Sequence, residues 1–189
     1  MMSNTPYPSN WPYTGNVISP DEFTFPEKID PVVIARMYET RMLLGVPCYF
    51  TTNTRQTFTY HPHGDAVDPD STSHSVASLH KWGIDHQASK AQGHTVYDSD
   101  VLGQALDWDC NILDLDDFFD VYLKMVQSQL WNRIGVYPFW HRLGFHTDLG
   151  YNKYNWFRDS VGDYHTMTWK NWKQHVILHP ATFPNKENG

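Results

Sequence analysis

The chain has 189 residues, of which 40% are hydrophobic and 15% aromatic, with eight Trp, so it suits one folded domain with an aromatic-rich core rather than a disordered segment. Its net charge of −7 and the absence of any basic stripe exclude a binder of nucleic-acid backbones. No run approaches the roughly 20 apolar residues of a membrane span, and the N-terminal stretch has neither a basic nor an apolar signal region. The expectation is a soluble protein without a membrane partner or a cleaved signal.

Residues 1–29 carry Pro6, Pro8, Pro12, Pro20 and Pro26, which disfavour helix and central strand, so an extended arm is expected. Asp30 and Pro31 read as N-cap and first turn of a helix with Val33, Ile34, Met37, Tyr38, Met42 and Leu43 on its apolar face, stopped by Gly45. Val46 to Thr52 reads as a strand. Residues 53–99 are irregular and hold His61, His63, His74, His80, His86 and His94, with a short helix expected over Val76 to Lys81. Leu102 to Cys110 has strand character, and Asp114 to Leu130 has an acidic first turn and helical apolar spacing. Strands are expected over Ile134 to Tyr137, Leu143 to Asp148 and Tyr154 to Arg158, with a short helix near Trp169 and Trp172. Cys48 and Cys110 are too few for a disulfide framework and lack CxxC-type zinc spacing.

Three segments gather metal-ligand residue types. In GQALDWD (Gly103 to Asp109), a strand carries Asp107 beside small residues that leave room for a ligand. In GFHTDLG (Gly144 to Gly150), strand alternation puts His146 and Asp148 on one face, the Asp serving as ligand, orienter or base. HPHGDAVD (His61 to Asp68) has the form HxxGxAxD.

HxxGxAxD followed by HxD resembles the signature of zinc peptidases related to D-alanyl-D-alanine carboxypeptidases and phage L-alanyl-D-glutamate endolysins. RMLLGVP (Arg41 to Pro47), TNTR (Thr52 to Arg55, where relatives read SGYR), IGVYP (Ile134 to Pro138), GFHTDLG and Asn155-Trp156 carry the resemblance from about Asp30 to Trp156. The family places about forty residues and one helix between its motif Asp and its last His. Asp107 stands 39 residues before His146 and Asp68 stands 78 before it, so Asp107 is the favoured counterpart and residues 56–97 are read as an insertion.

The resemblance implies an α+β fold, a small antiparallel sheet with helices on one side, in a single domain. Its divisions are an arm (1–29), the peptidase-like domain (30–160) and a C-terminal extension (161–189). It implies zinc or another divalent cation held by Asp100, Asp107 and His146, since Asp100 stands seven residues before Asp107, where relatives have their first His. The insertion offers His61, His80 and His94 as alternatives. Arg55 would hold a substrate carboxylate. Several relatives carry an acid three residues before the last His; that position is Leu143 here, leaving Asp148 or His141 for the base. The implied partner is a peptidoglycan stem peptide, cleaved by a metal-assisted route. The alternative is a non-catalytic virion or wall-binding module on the same fold, meeting other virion proteins through its arm.

Overall fold

The computed structural model describes residue 9, residues 11–12, 17–45, 48–50, 66, 68–72, 75, 77–110, 114–139 and 143–178. Among them stand four α-helices and one six-stranded sheet, in an α+β arrangement. The helices are α1 (Pro31–Leu44), α2 (His86–Gln92), α3 (Leu115–Ser128) and α4 (Trp169–Trp172, continuing as a π-helix over Lys173–Ile177). The strands are β1 (Cys48–Phe50), β2 (Ala105–Cys110), β3 (Arg133–Tyr137), β4 (Gly144–Asp148), β5 (Tyr154–Arg158) and β6 (Tyr164–Thr166). Their order across the sheet is β1-β2-β4-β3-β5-β6. Neighbours run antiparallel except β3 and β5, which pair in parallel, so the sheet departs from the all-antiparallel expectation at one pairing.

The helix ends follow local chemistry. The Asp30 carboxylate accepts from Val32 N–H, and Gly45 takes a left-handed φ of 64° that closes α1 onto Arg41 C=O. Asp114 caps α3 through Asp117 N–H, as its acidic first turn suggests. Asp85 caps α2, an element that lies C-terminal to the helix expected at Val76 to Lys81. Of that stretch, Val76 lies outside the described residues, and Ala77 to Lys81 form turns with Ser78 N–H bonded to Ser75 C=O and Lys81 N–H to Ser78 C=O.

Strand alternation then sorts the sheet into two faces. Leu106, Trp108, Ile134, Val136, Phe145 and Phe157 point to one side and pack with Val33, Ile34 and Met37 of α1, Phe118 and Met125 of α3, and Trp172 of α4. Helices α1, α3 and α4 therefore cover one face. Trp108 and Phe118 flank Phe145 at ring-centroid separations of 4.7 and 4.5 Å. The Trp108 indole N–H donates to Thr147 Oγ1, so this ring brings its own polar group a partner inside the core.

The described part of the N-terminal arm is not simply extended. It makes two 3-10 turns, Pro20–Glu22 and Pro26–Lys28, with proline at the first position where its missing N–H costs nothing. Ile18, Phe23 and Ile29 are buried against the core, and a partly buried Arg41–Glu22 ion pair of 2.6 Å holds the arm on α1.

Candidate metal centre

The other face of the sheet carries the polar groups. Register pairs Asp107 of β2 with His146 of β4, and His146 with Gly135 of β3. His146 Nδ1 lies 2.8 Å from Asp107 Oδ1. The third member is His80, whose Nε2 is 3.3 Å from His146 Nδ1 and 3.6 Å from Asp107 Oδ1. The two imidazoles meet edge to face, 5.1 Å apart and inclined by 65°, so their facing nitrogens converge. His80, Asp107 and His146 thus form a group that can hold a metal ion.

His80 reaches this place from a turn rather than a strand. Gln104 N–H donates to Leu79 C=O, which docks the turn on the approach to β2. Gly103 permits that contact, because a Cβ there would stand 2.9 Å from His80 C=O. Lys81 is buried beside it and donates to the carbonyls of Pro69 and Ser71. Between His80 and Gly103 the chain makes an excursion that returns on itself. Gly83 N–H meets Val101 C=O, Asp98 N–H meets Gly83 C=O, and Asp85 N–H meets Val96 C=O.

Behind His146 stands Asp148. Its Oδ2 lies 2.8 Å from His146 Nε2, while Oδ1 accepts from Arg133 Nε and Gly150 N–H, both at 2.7 Å. A carboxylate so engaged fixes the ring of a ligating histidine and raises its basicity. Burial opposes the charged form of His146, yet hydrogen bonds to Asp107 and Asp148 outweigh it and raise its pKa to about 9. Burial likewise opposes the Asp107 carboxylate, but the neighbouring His80 and the His146 hydrogen bond hold it far below the usual carboxylate range. Asp148 is also held low, burial again opposing and His146 and Arg133 prevailing.

An aromatic wall flanks the group. Gly135 has no side chain, and Trp156 occupies that space; a Cβ there would come within 2.2 Å of Trp156 Cζ2. The Trp156 ring lies 5.8 Å from His146, 5.3 Å from Tyr137 and 5.0 Å from Tyr164.

The positions singled out from sequence divide clearly. Asp107 and His146 come together. Asp100 does not join them: it is exposed in the turn after Asp98, its N–H bonded to Asp98 Oδ1, and the place beside Asp107 belongs to His80. His94 is exposed near Gln92. Asp148 is buried with both oxygens engaged, a positioning arrangement rather than that of a base open to a substrate proton. Asp68 is exposed in a turn, where its carboxylate accepts from Asp70 N–H. Arg55, His61 and His141 lie outside the described residues.

The signal for His80 was present but divided. Ser78-Leu79-His80 and Gly103-Gln104-Ala105-Leu106-Asp107 read together as one His…GxAxD motif whose middle is interrupted by residues 81–102. The insertion expected over 56–97 lies partly outside the described residues, and its described part overlaps this excursion.

A second group, Asp159, His165 and His175, also gathers three potential ligand atoms. His165 Nε2 is 2.8 Å from Asp159 Oδ2 and His175 Nδ1 is 3.8 Å from it. Comparison with known proteins finds no matching family model, no matching curated protein and no matching solved structure.

Proposed function

We propose that this chain is a metal-dependent, peptidase-like domain that hydrolyses amide bonds of peptidoglycan stem peptides, of the D,D-carboxypeptidase or L,D-endopeptidase type. The observation that carries the reading is the convergence of His80 Nε2, Asp107 Oδ1 and His146 Nδ1 on the sheet face opposite α1, α3 and α4. Two imidazoles and one carboxylate are a donor set suited to zinc, and three protein ligands leave a position open for chemistry. Two of the three ligand-atom separations, 3.3 and 3.6 Å, fit the edge of a tetrahedral site with bonds of ~2.0–2.1 Å, while the 2.8 Å between His146 Nδ1 and Asp107 Oδ1 is a hydrogen bond that a bound cation would have to open. Replacing Asp100 by His80 in the set restores a ligand type that favours zinc over harder cations.

A cation in this place supplies Lewis acidity, polarising a carbonyl oxygen and making water a stronger acid. The protein's part is to hold and orient. Asp148 keeps His146 in the tautomer that presents Nδ1 forward, and Arg133 keeps Asp148 ionised. Trp156 and Tyr137 wall one side of the group and limit water there. We assign proton acceptance to Asp109, which follows Asp107 on the same strand face, is buried, and lies across from Gly144.

A rival reading, a virion or wall-binding module that keeps the fold without catalysis, draws support from Leu143. That position is core, where several relatives of the resembled family carry an acid. Calorimetry with zinc and turnover of L-alanyl-D-glutamate and D-alanyl-D-alanine peptides decide between them. The hydrolase reading expects zinc uptake at one site and zinc-dependent cleavage of one peptide, lost in Asp109→Asn with zinc uptake retained. Zinc uptake with no cleavage of either peptide would favour the inert module.

A further inference from the structure

The sheet face opposite α1, α3 and α4 is organised in rows that cross the strands. One row holds Asp107, His146, Gly135 and Trp156. The next holds Asp109, Gly144 and Tyr137, and reaches the sheet's other side at Arg158 and Tyr164. This second row has an acid, Asp109, toward one end and an arginine, Arg158, toward the other.

Arg158 is exposed and only partly engaged. Its Nε donates to Gly162 C=O at 3.0 Å, and its guanidinium carbon lies 5.6 Å from the Tyr164 ring centroid. Among the described residues, no carboxylate pairs with it. The adjacent Asp159 shares the neighbouring cavity but is engaged elsewhere, its Oδ1 accepting from Val161 and Asp163 N–H and its Oδ2 facing His165. Both terminal nitrogens of Arg158 are therefore available as a planar two-pronged donor, the geometry that matches a carboxylate. A cavity of about 250 Å³ opens beside it, lined by Tyr137, Phe139, Arg158, Asp159 and the 160–162 turn. Tyr137 joins the two regions. Burial and then the Asp107 charge push its phenol up, while Arg158 pulls it down, so this ring stands in the field of both.

We propose that Arg158 and the adjoining cavity form a carboxylate-binding subsite for a peptide whose scissile amide lies at His80, Asp107 and His146. The assignment rests on the hydrolase reading for its substrate but on Arg158 alone for its chemistry. Spacing adds a constraint on where the carboxylate sits. Trp156 shares a row with His146 two strand spacings away, and Arg158 stands two residues further on. Strand dimensions then put the His146 and Arg158 Cα atoms about 12 Å apart, some three residues of extended peptide.

The test uses the full zinc-loaded chain and two probes: L-alanyl-γ-D-glutamyl-L-lysyl-D-alanyl-D-alanine and the same peptide with both carboxylates amidated. Calorimetry is expected to show the acid form binding ~tenfold or more tightly than the amide, as a charge-assisted pair warrants. Arg158→Met is expected to erase that preference, and Arg158→Lys to keep part of it, with zinc affinity and circular dichroism unchanged in both. Equal binding of the two probes by the wild-type chain, binding of neither, or an undiminished preference in Arg158→Met would overturn the subsite. A preference lost in Arg158→Met, in a zinc-loaded chain that cleaves nothing, would keep the subsite and remove the hydrolase reading.

Discussion

Two groups in this molecule contain the same side chains, two histidines and one aspartate, and the chain supports them in different ways. In the first, Asp107 and His146 stand on directly paired strands in the middle of the sheet, and His80 is docked against them by backbone hydrogen bonds. The His80 and His146 rings are inclined by 65°, which brings their nitrogens toward a common point. In the second, the His165 and His175 rings stack at 3.9 Å with an inclination of 24°. Their in-plane lone pairs run nearly side by side, and meeting at one ion would require a ring to rotate out of the stack with Phe157. Asp159 sits in the turn after β5, and its Oδ1 accepts backbone N–H groups from its own turn. An inventory of ligand residues is thus not a site. Convergent lone pairs on rigid elements, backed by a second layer of hydrogen bonds, are what a metal requires.

The strongest way to break this comparison is to remove one ligand from each group. Asp107→Ala is expected to lower zinc affinity by two orders of magnitude or more, because it takes away the only carboxylate of the first group. The His165→Ala, His175→Ala pair is expected to leave zinc affinity and stoichiometry as they were. Calorimetry on both proteins checks this. A fall in stoichiometry from the second pair of substitutions would show that stacking does not prevent ligation.

A smaller effect is expected one layer out. Asp148→Asn keeps the shape of the side chain and an acceptor for Gly150 N–H, but removes the charge facing His146 Nε2 and Arg133. Partners of this kind are worth about 10–100-fold in metal affinity. Competition with a chromophoric chelator measures it, and an unchanged affinity would demote Asp148 to a fold-holding residue.

Protons sharpen the contrast further. In the metal-free chain His146 is raised to about 9, so its ion pairs contribute fully below the ordinary histidine value and are lost as pH rises through about 9. The metal must displace that proton. Zinc uptake near pH 7 is therefore expected to release about one proton from His146, and zinc affinity to grow as pH climbs toward 9. Titrations in buffers of different ionisation enthalpy count the protons. A zinc affinity flat between pH 6.5 and 9 would contradict the His146 assignment.

Much of this arrangement was readable in the sequence where the information is local. Asp30 and Asp114 announce their helices because a cap is a contact over two or three residues. His146 and Asp148 share a face because alternation in a strand is strict, and the spacing to His146 pointed to Asp107. His80 was harder, since what places it beside Asp107 is an excursion that closes through its own backbone bonds, and those bonds leave no side-chain pattern. Asp100, seven residues before Asp107, matched a sequence spacing that the excursion had already broken. Strand β6 was missed for another reason. Tyr164 and Thr166 are exposed at the sheet edge, so the segment lacks the apolar alternation that marks a half-buried strand. The parallel β3–β5 pairing is a choice of partner, and single-sequence periodicity carries no record of it.

The smallest expected effect concerns what the second group does in place of binding metal. Asp159 joins three elements: its own turn through Val161 and Asp163 N–H, strand β6 through His165, and the C-terminal helical segment through the stacked His175. Burial opposes its charge, but the His165 hydrogen bond and the two backbone N–H groups hold its pKa below the ordinary value. A carboxylate lowered on folding stabilises above its unfolded pKa, and the gain fades as pH falls through the folded one. Asp159→Asn keeps an oxygen for the turn and loses the charge toward His165. The substitution is expected to cost about 1 kcal/mol at pH 7, within the range of one partly exposed hydrogen bond. The sign of the pKa shift then requires the gap between wild type and variant to narrow as the pH drops below about 4, where Asp159 begins to protonate in the unfolded chain. Urea melts of both proteins at pH 7 and in steps down to pH 3 measure that gap. A difference that stays constant with pH would mean that Asp159 acts through its shape alone, and a widening one would mean that its charge is unfavourable where it stands.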